Sequence, residues 1–175
     1  MSDHLLSKKE YNRLNDNKKY EIIKERLSQR GIELMDMAKL TYELQKPYVP
    51  ELTMEICLEH IERVALKREV QHAVLVGIEL DVLAEEKKLS EPLLSMLLGD
   101  YGLFGIDEIL ALSIVNVYGS IGLTNFGYVD KLKPGIIGEI DKAGKEEGRC
   151  NTFLDDIVGA IASAAASSIA HKYSK

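Results

Sequence analysis

Five carboxylates carry the chemistry that this sequence suggests. Asp107–Glu108 and Asp155–Asp156 are acidic pairs, each directly before a strongly apolar stretch of helical spacing. Asp130 falls between them, with Lys131 and Lys133 beside it. An acidic residue at a helix start is ordinary, because it satisfies free N–H groups and matches the helix dipole. One pair asks for nothing more than that. Two pairs and Asp130, all at the edges of apolar segments, ask for more, since carboxylates buried together cost heavily unless a cation compensates them. Oxygen-only donors suit a hard cation. Mg²⁺ is the natural candidate, held by a few carboxylates, by waters and by a substrate phosphate.

Geometry sets a condition on that reading. If residues 107–131 formed one straight helix, Asp107 and Asp130 would stand about 35 Å apart at 1.5 Å per residue. The chain must therefore break and turn back, and the glycine-rich stretch from Gly119 to Gly127 is the expected place. Backbone N–H and hydroxyl groups there, from Gly119, Ser120, Gly122, Thr124 and Asn125, are candidates for phosphate. A plain structural turn is the competing explanation.

The elements that must position these groups read as helices. Residues 8–29 form a charged helix with a partial apolar stripe, Tyr11, Leu14, Ile22, Ile23 and Leu27, closed by Gly31. A second helix, over 34–44, is stopped by Pro47 and Pro50. Thr53 caps a third, whose buried face is Ile56, Leu58, Ile61, Val64 and Ala65. A fourth, over 70–83, ends in a charged run, and Glu79, Asp81 and Glu85 read as its solvated edge. Ser90 caps a short helix with Pro92 in its first turn. Asp107 opens a helix through Leu110, Ile114 and Val117. Another covers 137–143, and the last runs from 155 to 171. Nothing alternates with period two for long, so a sheet is not expected. The expected fold is all-α: one domain over 1–175, a helical bundle with the apolar C-terminal helix, 157–170, at or near its centre. The first ninety residues are a candidate subdomain within it.

Composition narrows the class. A chain of 175 residues with 46% hydrophobic and 29% charged residues can bury a core without staples. Cys57 and Cys150 stand alone, without a second Cys or a His at ligand spacing, and point to unpaired thiols in a reducing, cytoplasmic setting. The N-terminus has no apolar signal segment and no run of 18 apolar residues spans a membrane. The net charge of −6 disfavours nucleic acid. The charge is uneven: residues 1–30 carry eight Lys/Arg against five Asp/Glu, and the remainder fourteen against twenty-three.

Phe126-x-x-x-Asp130-x-x-Lys133-Pro134-x-x-Ile137-x-x-x-Asp141 resembles a stretch of the phosphatidylglycerophosphatase A family. So does Asp155-Asp156-Ile157-Val158-x-x-x-x-Ser163-Ala164, and Asp100-x-Gly102 followed by Asp107-Glu108 resembles that family's Asp-Glu element. The resemblance covers roughly residues 98–172, with no counterpart identified in 1–97. It implies Mg²⁺-dependent hydrolysis of phosphatidylglycerophosphate to phosphatidylglycerol and phosphate. Asp107, Glu108, Asp130, Asp155 and Asp156 would then be metal ligands, with Asp155, Asp156 and Asp130 as the catalytic group. Lys133 would help hold the phosphate. The family's usual members are membrane-embedded, and at position 127 they carry Arg where this chain has Gly. A lipid substrate implies contact with a membrane surface, for which the basic N-terminal helix is a candidate. Two other functions stand beside this one. Glu59-x-x-Glu62 matches half of the metal motif of all-α nucleotide pyrophosphatases, but the second half is missing. A helical homo-oligomer that binds metal or a partner without turnover is the third.

Overall fold

Local rules explain most element boundaries in the computed structural model, which describes residues 6–100, 104–146 and 148–173. His4, Gly102 and the side chain of Tyr11 lie outside the described residues. The stretch expected as one helix over 8–29 is two, α1 (Lys8–Arg13) and α2 (Asp16–Gln29). Asn15 divides them, because its side chain accepts from the Lys18 N–H and starts a new helix. Gly31 follows α2 at φ +82°. α3 (Leu34–Gln45) ends before the two prolines, and Thr53 caps α4 (Met54–Ala65) by accepting from the Ile56 N–H. After α5 (Arg68–Glu85), α6 (Leu93–Gly99) starts one residue past Pro92, so that proline sits before the first turn rather than in it.

The largest difference from expectation lies in α7 (Ile106–Val115) and α8 (Gly119–Leu132). The glycine-rich stretch is helical, not a loop. The break precedes it, at a 3-10 turn over Asn116–Tyr118 and at Gly119, whose φ of +74° suits a residue without a Cβ. The chain turns back there. Tyr118 offers its carbonyl to the Ser167 hydroxyl at 2.7 Å, far along the final helix, while Asp107 and Asp130 both act on Asp156 near that helix's start. By composition the stretch Ile106–Leu132, which holds an 18-residue window of mean hydropathy 1.5, would suffice for a membrane span. Folded back, it is helices of 10 and 14 residues, each short of the roughly 20 a bilayer requires.

α9 (Ile136–Glu146) and α10 (Leu154–Tyr173) complete the chain. α10 is the central helix, packed by α3, α4, α5, α7, α8 and α9, and residues 156–167 are all buried. Its Ala, Gly and Ser side chains let neighbours come close: a Cβ at Gly159 would lie 3.1 Å from Val129 of α8. Each large core side chain it contributes, such as Ile157 or Ile161, is worth about 1.5–3 kcal/mol on burial. The core is continuous from Ile23 to Ile169, so the first ninety residues share it. Among the described residues there is no strand.

Candidate active site

The carboxylates meet at the N-terminal end of α10. Asp155 and Asp156 are in its first turn, Asp107 in the first turn of α7, and Asp130 in the last turn of α8. Lys133 follows α8 at φ +46°, an uncommon conformation for a residue with a side chain, and it turns its amine back into the group. Its Nζ donates to Asp130 and Asp155, each at 2.8 Å, and stands 3.9 Å from Asp156. Asp107 feels the charges of Asp100, at the end of α6, and of Asp130, across the α7–α8 hairpin.

One ammonium does not compensate this much negative charge. Burial pushes Asp155 up to about 6, with Lys133 pulling against it. Burial and then the Asp155 charge push Asp156 up to about 8. Asp107 is also raised, by burial first and by Asp100 and Asp130 next. Burial pulls the amine of Lys133 down, but Asp155 and Asp130 more than reverse it and hold Lys133 charged. Asp156 is the least satisfied of the group: its side chain is 5% exposed and its nearest cation is the 3.9 Å one. A deficit of positive charge among oxygen donors is the chemistry a hard divalent cation fits. As the side chains stand, with Lys133 at the centre, no three ligand-type groups among the described residues converge on one point. Loading a cation therefore requires Lys133 to yield part of its place.

The structure separates the other expected site residues. Glu108 is exposed, one position round the helix, and it is its backbone N–H that donates to Asp107 at 2.9 Å. Ser120, Thr124 and Asn125 do not come to the carboxylates. They line a cavity of about 420 Å³ with Gln45, Tyr48 and Tyr173, toward the opposite end of α10, and none of its described lining residues is charged. Gly127 is exposed on α8, with open space where a side chain would go. Glu59 and Glu62, the half-motif of the pyrophosphatase reading, are also exposed.

Asp81 corrects the expectation of a solvated edge. It is fully buried and accepts from the N–H groups of Phe153 and Leu154 at 3.0–3.2 Å, so it caps α10 from across the core. Its register shows why: Val70, Val74, Gly77, Asp81 and Ala84 follow the buried face of α5. Glu85 is not free in solvent either. Arg30 forks onto both its carboxylate oxygens at 2.9 and 2.7 Å and also donates to the Cys150 carbonyl and the Asn151 side chain. These two contacts fix the segment leading into Asp155. Cys57 and Cys150 are buried and unbridged.

Beside the cluster lies a cleft of about 280 Å³ whose charged lining is Asp100, Asp141, Lys145, Arg149 and Asp155. Asp141 was already part of the Lys133-Pro134 pattern, but Lys145 and Arg149 had no signal beyond their charge.

Comparison with known proteins bears on this geometry. The family model described as "Phosphatidylglycerophosphatase A" matches residues 37–171, which extends the resemblance upstream of residue 98 through α3, α4 and α5. The chain is 58% identical over 147 residues to uncharacterized protein YutG of Bacillus subtilis, covering 84% of this chain and 87% of that one. The crystal structure of protein ypjQ from Bacillus subtilis superposes with a TM-score of 0.86 at 52% identity, covering 91% and 97% of the two chains. The low temperature requirement C protein from Listeria monocytogenes does so with a TM-score of 0.85 at 53% identity, covering 89% and 96%.

Proposed function

The chain belongs to the phosphatidylglycerophosphatase A family, and from that premise we propose that it is a divalent-metal-dependent phosphatase that hydrolyses phosphatidylglycerophosphate. The observation that carries this reading is the meeting of Asp130, Asp155 and Asp156 around a single lysine, with the charge of Asp107 from a third helix felt at Asp156.

Asp107, Asp155 and Asp156 would hold Mg²⁺, with Asp130 beside them. The chemistry such a cation supplies is compensation of the carboxylates and of the phosphoryl oxygens. The remaining work belongs to the chain. Lys133 balances Asp130 and Asp155 and offers a positive charge to the incoming phosphate. Asp156, whose carboxyl burial and the Asp155 charge push up to about 8 without a cation, is the ligand that gains most from one. The α10 amides and Asp81 keep Asp155 and Asp156 in register. Exposed Leu98, Ile106, Ile109 and Leu132 stand next to the segments that deliver the site, which favours a lipid over a freely soluble substrate.

A phosphate-release assay on detergent-dispersed phosphatidylglycerophosphate, with Mg²⁺, tests this. Wild type should release phosphate and Asp156→Asn should lose about 100-fold or more, the scale of one lost charge-stabilising group at the reaction centre, while keeping its helical circular dichroism. A folded wild type that releases none with Mg²⁺ or Mn²⁺ would sink the reading and leave a helical binding protein.

A further inference from the structure

The cleft beside Asp155 suggests how the phosphate is gripped. Its walls come from the end of α6, from α9 and from the segment entering α10. Most of its polar groups already have partners within the fold, Arg149 included. Asn151 donates to the Ile140 carbonyl and accepts from Arg30, and Thr152 donates to the Leu97 carbonyl. Lys145 and Arg149 are the cations on its lining, both on exposed residues. Lys145 is held by an i, i+4 pair with Asp141 at 2.7 Å, and its own side chain is 67% exposed. A pair this exposed is worth little and exchanges readily for a stronger anion. The cleft is continuous with the carboxylate cluster: Asp155 belongs to both, and the charges of Asp100 and Lys133 are felt at Lys145. A volume of about 280 Å³ takes a phosphate with a short polyol and falls below the usual range for drug-sized ligands.

We propose that Lys145 and Arg149 form the phosphate clamp of this site, closing on the phosphomonoester from the cleft beside Asp155. The inference rests on the phosphatase reading above for its physiological ligand, but not for its test. On substrate approach Lys145 exchanges Asp141, and Arg149 exchanges its contacts within the protein, for phosphoryl oxygens, where the planar guanidinium donates in pairs. The grip selects a dianionic phosphate ester of headgroup size.

The probe is inorganic phosphate, titrated calorimetrically into the full chain with MgCl₂ present. Lys145→Gln and Arg149→Gln should each weaken binding by about tenfold, the scale of a charge-assisted hydrogen bond, and the double variant by more. Lys24→Gln, which removes the same charge from α2, should leave it unchanged. Arg149→Lys and Lys145→Arg should restore most of it. In the lipid assay the Gln variants should raise KM with little change in kcat. Equal phosphate affinity in wild type and the double variant, or no binding by wild type, would overturn the clamp. Binding that follows the clamp in a chain that releases no phosphate from lipid would uphold it and reject the lipid reading instead.

Discussion

At the scale of single residues, the decisive feature is a carboxylate group short of positive charge. Asp81 shows the same physics away from the site. Buried and raised to about 8 from its ordinary 3.8, it carries an extra proton in the folded state between those values. The folded protein then binds more protons than the unfolded one, so the Asp81 contribution is full below about pH 4 and is lost as pH rises through about 8. Asn at 81 keeps an oxygen for the Phe153 and Leu154 N–H groups and has no proton to lose. Denaturant unfolding of wild type and Asp81→Asn from pH 5 to 8.5 should show wild type losing stability relative to the variant as pH rises. A difference independent of pH would mean that Asp81 is ionised throughout.

Single helices fail or succeed by how they meet α10. Gly119 provides the reversal that makes α7 and α8 a pair, and a side chain there is strained by its φ of +74°. Gly119→Ala should cost about 1–3 kcal/mol and, by loosening the hairpin that carries Asp107 and Asp130, lower phosphate release beyond what the lost stability explains. Unchanged stability would show that the turn tolerates a side chain. Gly77 is the close approach between α5 and α10: a Cβ there would collide with Ile157 and come to 3.0 Å from Phe153. Gly77→Val should destabilise by about 1–3 kcal/mol through overpacking, measured as a shift in the urea midpoint with the slope unchanged. A variant as stable as wild type would mean that Ile157 repacks without strain.

For the whole molecule, one core around α10 predicts one transition. Urea unfolding followed by far-ultraviolet circular dichroism and by tyrosine fluorescence should coincide, because α3 and α4 lose their packing when α10 does. Two separated transitions would instead divide the first ninety residues from the rest. The sequence by itself determined most of the helices, though not the α1–α2 division or α8, together with the central place of 157–170 and the acidic residues worth watching, because apolar periodicity, caps and prolines are local signals. It spread the break between α7 and α8 over Gly119 to Gly127, whereas the reversal lies at Asn116–Tyr118 and Gly119 and the rest of the Gly-rich run is helical. Only the tertiary structure decided which groups share a site. It brought Asp107 and Asp130 together, sent Ser120, Thr124 and Asn125 to the other end of α10, buried Asp81, and set Lys145 and Arg149 beside Asp155. Such pairings depend on how helices cross and turn, and no spacing along the chain encodes them.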